Sequence, residues 1–338
     1  MVERRMVVGI AMICLGLMLV ITWIASGGLG YPSVSLDGDG EWSTDADGQL
    51  QLRSSVAIEN PNPTGHFLDA RTTMRHNLTL NNITLVEATY TDVRYGAGST
   101  PYQLEAPVRE EMIEHWWPRF INADETIEGR HSTSLTFTAP HRDLNRSDHV
   151  SIDTLANETP LLDTFDIAVQ EFAGEYGADD PNLGDEFVHV ELLNPGVSWH
   201  DADRDNTMLR LRYVIRNQGQ LSVPATPAQV IGEVRANEVR LLQFDTEPRR
   251  LAGSSMLMPG TGDNVAIGIE MRQGNLSRWF TSHVTNDEQT TFEVSISLVF
   301  QHPETGLTLS IPEEGAIEAS CTIQTSIFNE HVNETVAC

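Results

Sequence analysis

The chain contains no lysine: all 21 of its basic residues are arginine, set against 48 acidic residues, and the net charge is −27. A surface of that sign repels phosphate backbones and anionic lipid headgroups, which excludes nucleic acid as a partner. Cysteine is almost absent, with three in 338 residues, so neither a disulfide framework nor a thiolate metal cluster is expected. The eleven histidines are scattered, and none stands in a His-x-x-x-His arrangement, so no metal ligand set is expected. No Gly-x-Ser-x-Gly elbow or phosphate-cradling glycine loop occurs. No catalytic residue and no cofactor is therefore expected. Carboxylates are so abundant that a glycosidase-like pair can be drawn almost anywhere, which makes it uninformative.

What is present is first of all acid. Acid-rich, lysine-free composition resembles that of the proteins of extremely halophilic archaea. In molar salt the Debye length falls to about 3 Å, so carboxylates stop repelling one another and serve to hold water and ions. The folded state is expected to depend on high salt.

One long apolar run stands out. From Met6 to Ser26 there is no charged residue, and a helix of that length spans a hydrocarbon core of about 30 Å. Arg4 and Arg5 precede it and no cation follows closely. The positive-inside rule then places residues 1–5 in the cytoplasm, a single-pass helix at 6–26 in the cell membrane, and the rest outside as an ectodomain. A signal peptide cleaved after Ile24-Ala25-Ser26 is the alternative; the run is longer than the usual h-region of about 7–15 residues, which favours retention. Cys321 and Cys338 both fall on the external side, where a disulfide is permitted and free thiols are equally compatible. Six Asn-X-Ser/Thr acceptors, Asn77, Asn82, Asn145, Asn157, Asn275 and Asn333, fit an exposed glycoprotein.

The chain also resembles itself. Setting Trp42 on Trp199 brings Asn60 onto Asn217 without a gap, and aligns Leu52, Ser54, Val56 and Ile58 with Leu209, Leu211, Tyr213 and Ile215. Alternation of this kind marks a strand with one buried face. Farther on, Asn81-Asn82 meets Asn237-Glu238, and Ala97-Gly98-Ser99 meets Ala252-Gly253-Ser254. Trp117 with Asp124 and Glu125 meets Trp279 with Asp287 and Glu288, and Leu135 and Phe137 meet Leu298 and Phe300. Ile167 and Phe172, read as a last strand, face Ile323 and Phe328. Two tandem copies follow, at 33–172 and 188–330, with an acidic linker at 173–187 and a tail at 331–338. Short alternating runs bounded by Gly, Pro, Asn and Asp indicate an all-β sandwich in each copy. One short helix per copy is expected, at Val108–Phe120 and around Asn275–Val284.

Val56-Ala57-Ile58-Glu59 running into Asn60-Pro61-Asn62-Pro63 resembles the opening motif of the LEA type 2, or WHy (water stress and hypersensitive response), domain. The next amphipathic strand with its Asn81-Asn82 turn, and the strand Ser132–Thr138, are similar to that family too. The second copy keeps Asn217 but has lost the prolines. The resemblance implies a fibronectin-III-like sandwich, a role in desiccation or stress protection, and no catalytic residues. Read from the residues alone, Pro61 and Pro63 end the strand because they cannot donate to a ladder, and the asparagines serve the turn.

Asp201, Asp203 and Asp205 alternate like the start of a calcium loop, but Asn206 replaces the required glycine and Arg212 the bidentate glutamate, so a solvated turn is expected. The same holds for Asp45-Ala46-Asp47-Gly48. Trp42, Trp117, Trp199 and Trp279 recur in both copies and are expected to pack in the core or at its edge, not to serve as a ligand platform. Trp116 has no counterpart in this alignment and is expected at the surface. The functional expectation is a non-enzymatic, extracytoplasmic stress-related or envelope-stabilising protein. The alternative is a surface module that binds glycan, S-layer or another envelope protein.

Overall fold

The computed structural model describes residues 30–36, 40–62, 71–139, 144–156, 159–180, 184–325 and 335–338. The helix expected at 6–26, and the acceptors Asn157 and Asn333, lie outside the described residues. Among the described residues no helix is long and apolar enough to cross a membrane. Strand accounts for 61% and helix for 12%, which makes the chain all-β in class.

The chain divides into two compact units, Met1–Thr79 with Val86–Val108 and Arg130–Asp153, and Leu80–Leu85 with Arg109–Gly129 and Thr154–Cys338. The first holds β1 (Ser33–Leu36), β2 (Glu41–Thr44), β3 (Leu50–Asn60), β4 (Arg71–Leu80), β5 (Ile83–Thr91), β6 (Gly98–Pro107), and most of β7 (Ile127–Ala139) and β8 (Leu144–Ala156). In β3, Leu50, Leu52, Val56 and Ile58 are buried while Arg53 and Glu59 are exposed, so the period-two pattern does select one face. β1 and β2 pair with successive halves of β3, and β6 pairs along its other edge, from Gln51↔Pro107 to Asn60↔Gly98. The second sheet runs β5-β4-β7-β8. Val34, Val56, Ile58 and Leu104 of the first sheet close on Met74, Leu135 and Phe137 of the second in one apolar core. Each large side chain buried there contributes about 1.5–3 kcal/mol, which makes this contact the main cohesion of the unit.

The second unit holds α1 (Glu111–Asn122) and α2 (Pro160–Gln170), then β9 (Gly174–Asp180), β10 (Gly184–Ala202), β11 (Asn206–Asn217), β12 (Val223–Pro224), β13 (Gln229–Ala236) and β14 (Val239–Thr246). It continues through β15 (Arg249–Ala252), β16 (Met256–Leu257), β17 (Gly262–Gln273), α3 (Leu276–Thr285), β18 (Gln289–Gln301), β19 (Thr308–Ile311), β20 (Ile317–Gln324) and β21 (Thr335–Ala337). Its main sheet runs β21-β20-β18-β13-β14-β17-β11-β10-β9, with β15 on β17 and β19 on β18. β14 and β17 share only the pairs Leu242↔Gln273 and Gln243↔Arg272, so the sheet is two blocks with a short seam. Cys321 is buried and bonded to Cys338, which ties the β21 end to β20.

Residues that align in the sequence share strand register. Trp42 pairs with Leu52 in the first copy and Trp199 with Leu209 in the second. Ser54 faces Leu104, and Leu211 faces Ile267. Paired left-handed residues recur at matching turns: Asn81 and Asn82 (φ 46° and 63°) with Asn237 and Glu238 (48° and 65°). Asp124 and Glu125 (49° and 60°) match Asp287 and Glu288 (52° and 55°) in the same way. At Asn81-Asn82 and Asn237-Glu238, which join consecutive strands, two successive positive φ values suit the right-handed twist of a hairpin; the Asp-Glu pairs join a helix to a strand.

Several expectations change. Counting back from the Asp-Glu turns, the partner of Trp279 is Trp116 and not Trp117, whose counterpart is Phe280. Trp116 is 2% exposed, so it is a core residue and not a surface contact. Leu104 corresponds to Ile267, so Gly98 falls opposite Thr261 and not opposite Gly253; β15 is an insertion of the second copy that the match of Ala-Gly-Ser concealed. The segment read as a last strand around Ile167 is α2: Pro160 opens it, and Leu161, Phe165, Ala168 and Val169 are buried at helical spacing. The acidic stretch read as a linker carries β9, which pairs with β10 from Gly174↔Leu192 to Asp180↔Gly184. Charge and glycine weaken a strand but do not forbid one that has a partner.

Candidate functional site

The Asn-Pro-Asn turn is built as hydrogen-bond accounting demands. Asn60 is 2% exposed; its Nδ2 donates to the Gly96 carbonyl at 2.9 Å, and its Oδ1 accepts from the Asn62 backbone N at 3.1 Å and from Asn62 Nδ2 at 2.8 Å. Asn62 Nδ2 also donates to the Gly30 carbonyl. Asn217 does the same work without prolines. Its Oδ1 accepts from Gly219 N at 3.0 Å, and its Nδ2 donates to the carbonyls of Leu221 and Leu257. The asparagine therefore carries the turn, and Pro61 only stiffens it. Neither amide points outward to a ligand.

A second polar centre gathers around Glu125, which is 1% exposed. Its Oε2 accepts from Leu161 N at 2.9 Å, and its Oε1 from Leu162 N and the Trp199 indole N, both at 2.8 Å. The carboxylate thus caps the N-terminus of α2, where the first N–H groups have no helical partner. Burial pushes its pKa up to about 7 against the opposing effect of those three donors. Nearby, Asn122 Oδ1 accepts from Ala202 N and its Nδ2 donates to Ala202 O, so a side chain stands in for a neighbouring strand at the end of β10.

A third centre runs through α3. The Trp279 indole N–H donates to Thr290 Oγ1 at 3.1 Å, and His283 Nδ1 lies 2.9 Å from the same oxygen. His283 Nε2 lies 3.0 Å from Thr325 Oγ1, whose hydroxyl donates to Glu288 Oε2 at 3.2 Å. Because Thr325 spends its one hydrogen on Glu288, it can only accept from His283, which assigns the proton to Nε2. Burial holds the imidazole down at about 4, a contact to the Gln289 backbone only partly offsetting it, so the ring is neutral. Between this chain and Glu125 lies an apolar cavity of about 40 Å³, walled by Trp116, Phe120, Trp279 and Phe280. Small-molecule sites occupy roughly 300–1,000 Å³, so this is a packing void and no substrate pocket.

The acidic turns are closed by their own backbone. Asp45 Oδ1 accepts from Asp47 N and Gln49 N, and Asp203 Oδ1 from Asp205 N and Asn206 N. Those bonds hold the Asp203 carboxyl below the usual range. Among the described residues no group of three or more His, Cys, Asp or Glu is placed to hold a metal. Of the glycosylation acceptors, Asn82 is exposed on its turn and Asn77 is half-buried in β4. Asn275 is exposed, but its Nδ2 donates to the Arg240 carbonyl; Asn145 lies in β8. The sequence does not mark Glu125 and His283 as buried polar groups, because an isolated polar residue beside a turn or in a helix carries no sign of burial.

No family model matches the chain, and no curated protein matches it. Among solved structures it is similar to a crystal structure of a protein from Archaeoglobus fulgidus, with TM-score 0.32 and 12% identity over 40% of this chain and 98% of that one. It is also similar to a solution structure of a protein from Arabidopsis thaliana, with TM-score 0.25 and 12% identity over 37% of this chain and 76% of that one. The BSP domain of a biofilm-associated protein follows at TM-score 0.19 and 8% identity, over 89% of this chain and 60% of that one. Likeness at these TM-scores carries no argument about family or activity.

Proposed function

We propose that the chain is a non-enzymatic, membrane-anchored extracytoplasmic protein of two tandem LEA type 2-like, fibronectin-III-like sandwiches, with a stress-related or envelope-stabilising role. The observation that carries the reading is the turn at Asn60 and its equivalent at Asn217, where a buried asparagine closes the strand in the same way in both copies. The apolar run at 6–26, preceded by Arg4 and Arg5, supports the anchor. Buried polar groups turned to internal partners leave the protein's contact with its surroundings to a hydrated, lysine-free acidic surface. Such a surface holds water and ions by carboxylate hydration, which is the property a protein exposed to drying or high salt would use. Large exposed apolar side chains, Tyr31, Leu155, Ile167, Ile231 and Met258, recur at no matching described positions of the two copies, which gives the alternative of a shared docking face no support. The test is deletion of the gene followed by drying and rehydration. Survival should fall and be restored by the full chain but not by a chain lacking 6–26; unchanged survival contradicts the role.

A further inference from the structure

Four polar side chains lie inside the apolar core of the first unit, where its two sheets face each other. Ser54 of β3 is 2% exposed, His76 of β4 and Thr133 of β7 are fully buried, and His131 of β7 is 2% exposed. Ser54 Oγ stands 3.1 Å from His76 Nε2 and 3.1 Å from His131 Nε2, and Thr133 Oγ1 stands 3.0 Å from His76 Nδ1. The two imidazoles meet edge to face, with centroids 4.9 Å apart. One hydroxyl from one sheet thus bridges two rings of the other.

Proton counting makes the bridge conditional. Ser54 has one hydrogen and two Nε2 neighbours, so one Nε2 must carry a proton and the other must be bare. A first added proton lets Ser54 go on passing its hydrogen to one of the two rings, but it leaves a cation in an apolar core. A second added proton puts hydrogens on both Nε2 atoms. Ser54 then has two donors and no acceptor, and two like charges sit in edge-to-face contact. Ser54 reaches the rings from the opposite sheet, and Thr133 stands beside them on β7. The described ionisable side chains on the surrounding strands, Arg53 and Glu59 of β3, Arg71 and Arg75 of β4, Glu87 of β5, Glu105 of β6, Glu128 and Arg130 of β7, and His149 and Asp153 of β8, are exposed. Asp148 of β8 is half-buried, and its carboxylate is held by Val34 N.

The fold does not require this cluster. The equivalent positions of the second copy are Leu211, Gly232, Val294 and Ile296, with Leu211, Val294 and Ile296 buried. At Gly232, which pairs with Ile296 and Phe244, a Cβ would run into the Ser295 carbonyl oxygen and the Phe244 ring, so a side chain like that of His76 has no room there. A buried polar network that an apolar set can replace is costly to keep, and its retention points to use.

We propose that Ser54, His76, His131 and Thr133 form an acid-released latch that holds the two sheets of the first unit together when neutral and lets them part when protonated. Burial lowers His76 to about 3, the neighbouring His131 adding to it, and lowers His131 to about 4. Both folded values lie below the free value of about 6.5, so the latch's contribution is complete above pH 6.5 and is lost as pH falls from there toward 4 and below.

The test is hydrogen exchange of the full chain in molar salt at pH 7.5 and 4.5, corrected for intrinsic rates. Protection in β3, β4 and β7 should fall by about tenfold or more relative to β11, β13 and β18. Equal protection at both values overturns the proposal. His131→Val, which installs the residue of the second copy, should remove most of that differential; the wild-type response in this variant also overturns it. Should the variant fail to fold, imidazole NMR of the wild-type chain decides: ring signals of His76 and His131 that stay flat from pH 8 to 5 support the latch, and an ordinary midpoint near 6.5 refutes it.

Discussion

The indole of Trp116 stacks on that of Trp279, with centroids 6.3 Å apart and planes 17° from parallel. The two residues hold the same place in the two copies, and each sends its N–H to a buried partner, Trp116 to Asn81 Oδ1 and Trp279 to Thr290 Oγ1. Two positions that align in the sequence are thus in contact with each other. Truncating either residue to alanine should cost about 3–5 kcal/mol, since each also leaves a polar partner unsatisfied. The double variant should cost less than the sum by about 0.5–1.5 kcal/mol, the usual worth of an aromatic pair. Denaturant unfolding in molar salt of the two singles and the double checks this; strict additivity would mean the rings do not interact.

Glu125 gives a pH dependence of opposite sign to that of the histidines. Its folded pKa, about 7, lies above the ordinary 4.5, so its contribution is complete below pH 4.5 and is lost as pH rises through 7. Glu125→Gln keeps the shape but sets its amide against an N–H, either that of Leu161 or those of Leu162 and Trp199. The variant should be less stable by about 1–3 kcal/mol at pH 5, with the wild-type decline between pH 5 and 8 flattened. Unfolding free energies across that range provide the check.

Where the chain meets a glycosylation system, Asn82 should carry glycan and Asn77 should not. Asn82 is exposed on a tight turn, whereas Asn77 is half-buried in the middle of β4. Site-resolved mass spectrometry of the native protein reads both, and glycan on Asn77 alone would contradict the placement.

The all-β class was legible because it rests on patterns that survive in a single sequence. Leu52 to Ile58 and Leu209 to Ile215 alternate, and the Asn81-Asn82 and Asn237-Glu238 turns require left-handed backbone that few residues tolerate. Register within the helices was not legible. Trp116-Trp117 offers two candidates for one partner, and only the turn at Asp124-Glu125 decides between them. α2 was read as a strand because Ile167 and Phe172 were matched singly, although Leu161, Phe165, Ala168 and Val169 carry the helical period. The polar cores were hidden for a different reason: Ser54 sits in a strand where its neighbours two residues away are apolar, and nothing local says that two histidines on distant strands converge on it.

The proposed role requires that a chain with 48 acidic residues and no lysine depend on salt for its fold. Circular dichroism of the full chain across a potassium chloride series measures this most directly. The folded β spectrum should stand in molar salt and be lost in dilute buffer, where carboxylate repulsion is no longer screened. A folded spectrum and an unchanged melting temperature in dilute buffer would contradict it.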